Sequence, residues 1–355
     1  MTAPLRRVAI VGAATLKGRE LKDVLADSRF SAGEVRLLDD DESLGQLEAV
    51  GDEATFVQSV RAEQFERVDM TFFASEPGFT RKHVALARKA DSAIVDLSAA
   101  LEEEAPVRAP RVEMELEVPA AKKPRGTAAP AALVAAHPAS VVLALLLLRV
   151  HKAAGLRAAV VTVFEPASEH GKRGLDELHA QTVHLLSFQS MPTEVFDCQV
   201  AFNLLSRYGE ESQPALESVE QRILAHFEKI TAGNLPVPSL VLVQAPTFHS
   251  HGFSIYIEAH KTIPAKELAR SLHGGMVTVT HAASDAPTNV SAAGQDQVLV
   301  ALRKDPAHEN GWWLWAAADN LRIAALTAVD CAMLLAEARP LSAEPKRPAA
   351  RRKAE

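Results

Sequence analysis

The chain is short of thiols, carries no cationic excess and holds no long apolar run. Two cysteines, Cys198 and Cys331, in 355 residues exclude a disulfide-stapled scaffold and fit a reduced compartment. A net charge of −7 and a pI near 6.0 give the body of the chain no electrostatic footprint for nucleic acid. The run Val141 to Leu148 has eight apolar residues, well below the roughly 20 that cross a bilayer, so no membrane partner is expected. Met1 to Arg7 leads into a strand rather than an apolar leader, and the expected location is the cytoplasm. The acidic runs Asp39–Glu42 and Glu102–Glu104 read as solvated loop faces.

What is present is an alternation of strands and helices long enough for two cores. Arg6–Val11 reads as a strand. The turn Gly12-Ala13-Ala14-Thr15-Leu16-Lys17-Gly18 follows, then a helix to about Ala26 with Leu21, Val24 and Leu25 on its apolar face. That order opens a dinucleotide-binding unit, in which glycines let the backbone approach a pyrophosphate at a helix N-terminus. Gly12, Ala14, Thr15 and Leu16 are the candidate contacts there. Strands at Glu34–Leu38, Val68–Ala74 and Ala93–Asp96, with a helix at Thr80–Lys89, continue a parallel sheet. Ala105–Pro130, rich in Pro, Ala and charge, reads as a surface connection. Further strands are expected at Arg157–Phe164 and Ser239–Gln244, and Val298–Arg303 pairs with Trp312–Ala317. Helices are expected from Leu175, over Ala215–Ile230 and from the opening Ala318-Asp319-Asn320-Leu321-Arg322 to about Glu337. The basic segment 341–355 is expected to be disordered.

Leu133 to His151, LVAAHPASVVLALLLLRVH, joins a short strand, a turn at Ala136-His137-Pro138 and a helix buried on every side. Such a turn can seat a nucleophile at a helix N-terminus, where unpaired N–H groups and the dipole favour its anion. Ala139 stands at that place. Neither cysteine lies at a turn, and both read as structural thiols.

With the two ends of the chain, this stretch resembles aspartate-semialdehyde dehydrogenase, whose members read close to I-A-N-P-N-C-S-T-I here. The resemblance implies an α/β fold: a Rossmann-type parallel-sheet domain over residues 1–135, to which a helix over 319–338 returns, and an α+β dimerisation and substrate domain over 136–318. Aligned on Ser140, the family cysteine falls on Ala139 and the preceding asparagine on Pro138. The family turn G-A-T-G-x-V-G keeps Gly12 and Gly18 but has Thr15 at its middle glycine. A β-branched residue there has poor access to positive φ and narrows the approach to phosphate. Glu42 stands where A-S-x-R-S-x-G has an arginine for the 2′-phosphate, which opposes NADP more than NAD. Glu102 replaces the phosphate-clamping arginine of N-S-S-A-F-R.

Glu165 to Gly174 is similar to Q-A-V-S-G-A-G-x-x-G. Glu165 takes the place of a substrate-binding glutamine and Glu169 that of a glycine, while Ser168, Gly171 and Gly174 remain. Val200–Leu205 matches I-A-F-N-V-I and is expected to be a core strand. Leu216 falls at a substrate-binding lysine. Gln244 to Gly252 is similar to R-V-P-V-F-x-G-H-S, which places His251 at the general base, a task suited to imidazole near neutral pH. Gln244 replaces the arginine that clamps the substrate carboxylate. His249 and His251 would share one side of a strand, but without a further ligand beside them no metal is expected. Ala318-Asp319-Asn320-Leu321-Arg322 matches A-D-N-L-R, and the resemblance puts Asn320 with Ser168 and Gly171 at the cofactor.

By resemblance the cofactor is NADP or NAD, with the substitutions at the turn counting against binding, and the assembly is a homodimer or a heterodimer with an active paralogue. An alanine cannot add to an aldehyde, and the unactivated hydroxyl of Ser140 is a poor substitute. Three readings follow. The chain is a non-catalytic homologue acting through protein contacts, an NAD(P) enzyme of altered chemistry using His251 and Glu165 as base and acid, or the family enzyme working by another route.

Overall fold

The computed structural model describes residues 6–30, 32–50, 53–116, 130–212, 214–280 and 285–339. The first lobe comprises β1 (Arg6–Val11), α1 (Leu16–Asp27), β2 (Ala32–Asp39), β3 (Leu47–Val50), β4 (Glu53–Phe56), β5 (Gln58–Ser59) and β6 (Met70–Phe73). It continues through α2 (Pro77–Lys89), β7 (Ala93–Asp96), β8 (Val107–Arg108), α3 (Pro110–Glu115) and β9 (Ala132–Ala135). Seven of these strands form one sheet in the order β5-β2-β1-β6-β7-β9-β8, with every pairing parallel. A parallel sheet is covered on both faces, so its strands are continuous apolar runs rather than alternating ones. Every residue of β6 and β7 is buried accordingly. The hairpin β3–β4 stands apart as a two-stranded sheet.

The second lobe comprises α4 (Pro138–Ala154), β10 (Leu156–Glu165), α5 (Gly171–Leu186), α6 (Leu216–Thr231), β11 (Ser239–Gln244) and β12 (His251–Ala259). After these come α7 (Ala265–Leu272), β13 (Val277–Val279), α8 (Asn289–Ala292), β14 (Val298–Lys304) and β15 (Gly311–Ala318). Its six-stranded sheet runs β11-β10-β12-β15-β14-β13, mixed in direction. The last helix, α9 (Asn320–Ala338), returns to the first lobe and packs on α1, β7 and β9.

Helix α4 lies between the lobes, touching α3, α6, α7, α9, β10 and β12. All thirteen residues from Pro138 to Val150 are buried. Each fully buried leucine contributes on the order of 2 kcal/mol relative to exposure, so its run of leucines is the main apolar joint of the molecule. Its one charged residue in that span, Arg149, is bound by the Glu115 carboxylate and the carbonyls of Leu272 and Gly274. A buried cation is tolerated only with such partners. Among the described residues no helix is long and apolar enough to cross a membrane.

Two sequence expectations are corrected. Ala105–Pro130 is not wholly a surface connection: β8 adds to the sheet, and α3 buries Val112 and ties Arg111 to Asp330 of α9. Residues 117–129 lie outside the described residues, as does 341–355. Val200–Leu205 is not a strand. The carboxamide of Gln181, fully buried on α5, accepts from the N–H groups of Val200 and Ala201 and donates to the carbonyls of Pro192 and Cys198. A side chain thus satisfies the backbone that a ladder would have paired. The segment turns so that Phe202 and Leu204 face solvent.

Candidate functional site

The site lies where the glycine turn, the start of α4, the end of β10 and the starts of β12 and α9 meet. Gly12 has φ +88°, and a Cβ there would sit 2.7 Å from Ser75; a Cβ on Gly18 would lie 2.0 Å from the Gly12 carbonyl oxygen. Packing alone therefore demands both glycines. Thr15 has φ −70°, so the expected strain at the middle glycine is corrected. Its hydroxyl caps α1 by accepting from Gly18 N–H at 3.0 Å, and it reaches the carbonyls of Gly12 and Ala74. Several of the donors that would cradle a phosphate are already bonded. Ala13 N–H donates to the Leu38 carbonyl and Ala14 N–H to Asp39 at 2.7 Å. Asp39, expected on a solvated loop face, instead ends β2 buried, and burial raises its pKa.

Helix α4 starts at Pro138, whose missing N–H costs nothing at a first position. His137 caps it: Nδ1 accepts from Ala139 N–H at 3.2 Å. The Ala139 methyl is completely buried. Ser140 Oγ donates to the Ile223 carbonyl at 2.7 Å and is committed to structure. His137 is a site residue that sequence reasoning passed over; a histidine directly before a helix-opening proline was the available signal.

Its backbone N–H donates to His226 Nδ1 at 2.9 Å, and His226 Nε2 lies 3.2 Å from the Glu102 carboxylate. Arg222 Nε is 3.3 Å from the same oxygen, and Lys229 reaches the Glu102 carbonyl. The hydrogen bond from His226 holds the Glu102 pKa down against burial, assisted by Arg222. Where the resemblance implies a cation for phosphate, a half-buried carboxylate is paired with Arg222 and His226 of α6. Leu216 opens that helix buried, with no charge to offer.

Glu165 ends β10 and His251 opens β12, the neighbouring antiparallel strand, and both point to the buried face. The carboxylate that reaches His251 is nevertheless that of Glu169: its Oε1 is 3.9 Å from Nε2. Glu169 Oε1 also accepts from Asn320 Nδ2 at 2.9 Å, and Oε2 lies 3.4 Å from Lys17 Nζ. Burial works against its charge, but Lys17, His137, His251 and Asn320 together hold its pKa well below the carboxylate range. Asn320 Oδ1 accepts from Ser168 Oγ at 3.1 Å and Ser250 N–H at 3.2 Å. Gly171 follows at φ +65°, closing the 3₁₀ turn Ala167–His170. The sequence-derived candidates Ser168, Gly171, Asn320 and His251 are thus gathered around Glu169.

Glu165 faces a different neighbour. Its Oε1 lies 3.8 Å from His170 Nε2, and burial with the nearby Glu169 charge pushes its pKa well up. His170 meets Tyr208 at 2.8 Å, and the Tyr208 hydroxyl donates to Gln244 Oε1 at 2.6 Å. Gln244 donates in turn to the carbonyls of Glu165 and Ala245. Every polar atom of Gln244 is committed inward, so it offers nothing to a carboxylate. His249 lies in the turn before β12, and Ser250 between the two histidines has φ +70°, so they do not alternate along one strand. Among the described residues no group of three or more His, Cys, Asp or Glu is placed to hold a metal ion. Burial raises the pKa of both Cys198 and Cys331, away from reactivity.

Residues 7–120 match the semialdehyde dehydrogenase NAD binding domain, and residues 147–323 match the semialdehyde dehydrogenase dimerisation domain. The chain is 28% identical to an aspartate-semialdehyde dehydrogenase of Rickettsia bellii, over 92% of this chain and 96% of that one. It is 30% identical to the USG-1 protein homolog of Azotobacter vinelandii, over 94% and 98% of the two chains. A solved structure of a probable aspartate-semialdehyde dehydrogenase from Pseudomonas aeruginosa superposes with a TM-score of 0.82 at 29% identity, covering 94% of this chain and 98% of that one.

Proposed function

Because the chain belongs to the semialdehyde dehydrogenase family, we propose that it keeps the family frame without the family chemistry, as a non-catalytic dimeric homologue acting through protein contacts in the cytoplasm. The carrying observation is Ala139, a fully buried methyl at the capped start of α4 where the resemblance places the thiol. Loss of a nucleophile that works as part of a unit costs on the order of 10⁶ in rate. Support comes from the neighbours: Glu102 is spent on α6, Gln244 on Glu165 and Tyr208, and Ser140 on Ile223. No charged clamp for a carboxylate or phosphate stands at the positions the resemblance assigns to one.

Dimer formation is supported by the outer face of the second sheet. Val160, Tyr256 and Trp313 lie in one cross-strand row, and Val241, Thr162, Ser254 and Trp315 in the next. Val160, Val241, Trp313 and Trp315 are exposed there. A broad apolar face on an otherwise charged molecule is a contact surface, either to a second copy or to an active paralogue. The test is an assay of the purified full-length chain with aspartate semialdehyde, phosphate and NAD or NADP. No reduction of either dinucleotide is expected, and measurable turnover would overturn the reading.

A further inference from the structure

The Glu169 side chain is 8% exposed, is held by Lys17 of the glycine turn and Asn320 at the start of α9, and lies 3.9 Å from His251 Nε2 at the start of β12. The resemblance implies a dinucleotide with its pyrophosphate on the glycine turn, beside Lys17, and its nicotinamide toward the base position, His251. The Glu169 carboxylate spans that interval. It also neutralises Lys17, whose ammonium at the turn would otherwise be free to meet phosphate, and it takes the Asn320 amide. The pattern that this segment resembles has a glycine at position 169, which would leave the interval empty.

The retained glycines do not argue otherwise, since Gly12 and Gly18 are required by contacts within the protein. The cofactor that the family implies therefore meets residues that fit its phosphates in part and its nicotinamide end not at all. We infer that Glu169 is a built-in occupant of the interlobe cleft, standing where a nicotinamide ring would go and closing the dinucleotide site of this chain. This rests on the non-catalytic reading and gives it a physical cause beyond the missing thiol. Lys17 is itself a quarter exposed, so water can solvate its ammonium when the Glu169 carboxylate is removed.

The experiment is calorimetric titration of NAD and of NADP into the full chain and into its Glu169→Gly and Glu169→Gln variants. Each protein is first checked for an unchanged unfolding transition, and Glu169→Ala serves if glycine impairs folding. The unaltered chain should show no binding up to about 1 mM, the weak end of ordinary substrate affinities. Glu169→Gly should bind at least one dinucleotide at least about tenfold more tightly. Glu169→Gln, which fills the same volume, should remain closed. The inference is overturned if the unaltered chain binds as well as Glu169→Gly, if Glu169→Gly gains nothing, or if Glu169→Gln binds as tightly as Glu169→Gly. Binding without turnover by the unaltered chain defeats the inference alone, whereas turnover with aspartate semialdehyde defeats the non-catalytic reading as well.

Discussion

The rings of His137 and His251 lie with centroids 5.8 Å apart and planes tilted by 47°, and burial favours the neutral form of both. Burial pushes both below the ordinary histidine value of 6.5, with Glu169 opposing the shift and Lys17 adding to it; Asp319 also raises His251 and His226 lowers His137. Burial likewise brings His170 to about 4.

Acidification should therefore destabilise the protein. As the pH falls below 6.5 the unfolded chain takes up protons at these three histidines that the folded chain does not, so the stability they confer is full above 6.5 and lost toward pH 4. His170 alone accounts for on the order of 3 kcal/mol across that window. Glu165, raised above its ordinary 4.5, acts oppositely: its contribution is complete below that value and declines as the pH rises through its elevated one. Asp39, Asp96 and Asp330, also raised by burial, act with Glu165, whereas the lowered Glu102 and Glu169 act with the imidazoles, and the expected outcome is a net rise in stability from pH 4 to 6.5. Urea midpoints measured across this range check it, and a flat profile would contradict it.

Ser250 holds φ +70° at a position where the resembling pattern has glycine, and its hydroxyl is buried without a hydrogen-bond partner. A left-handed non-glycine residue costs roughly 1–2 kcal/mol, partly offset by the greater freedom of glycine in the unfolded chain. Ser250→Gly should stabilise by about 1 kcal/mol, read as a higher urea midpoint at unchanged slope. An unchanged or lower midpoint would show that the position is not strained.

How far the sequence reveals this structure depends on what holds each part. β1, β7 and β11 have the expected bounds because their apolar runs are continuous and end at turn residues. β12 is not among the expected strands although Phe253, Ile255 and Ile257 alternate with Ser254, Tyr256 and Glu258, because the histidines and glycine at its start interrupt the apolar pattern. Val200–Leu205 departs from the expected strand because the partner of its backbone is a single side chain, Gln181, which no local pattern announces. The alanine at the position that the resemblance gives to a thiol is visible in one dimension. The role of Glu169 is not, since it depends on Lys17, His251 and Asn320 converging from distant parts of the chain.

The outer face of the second sheet should carry the dimer. Val160 is 54% exposed at one end of the cross-strand row with Tyr256 and Trp313. Placing a carboxylate there puts an unpaired charge into an apolar contact, at a cost of several kcal/mol. Val160→Glu should weaken self-association at least about tenfold in sedimentation equilibrium, while circular dichroism stays unchanged because the residue packs against nothing within the protomer core. An unaltered dissociation constant would place the contact elsewhere.

The most direct measurement of the central claim, that catalysis is lost across the whole site and not at one atom, is the activity of Ala139→Cys. The variant adds one sulfur at the capped start of α4 but leaves Glu102, Glu165, Glu169 and Gln244 in place. Assayed with aspartate semialdehyde, phosphate and NAD or NADP, it should show no turnover above the unaltered chain although its thiol is intact by titration. Phosphate-dependent dinucleotide reduction by Ala139→Cys would contradict the account.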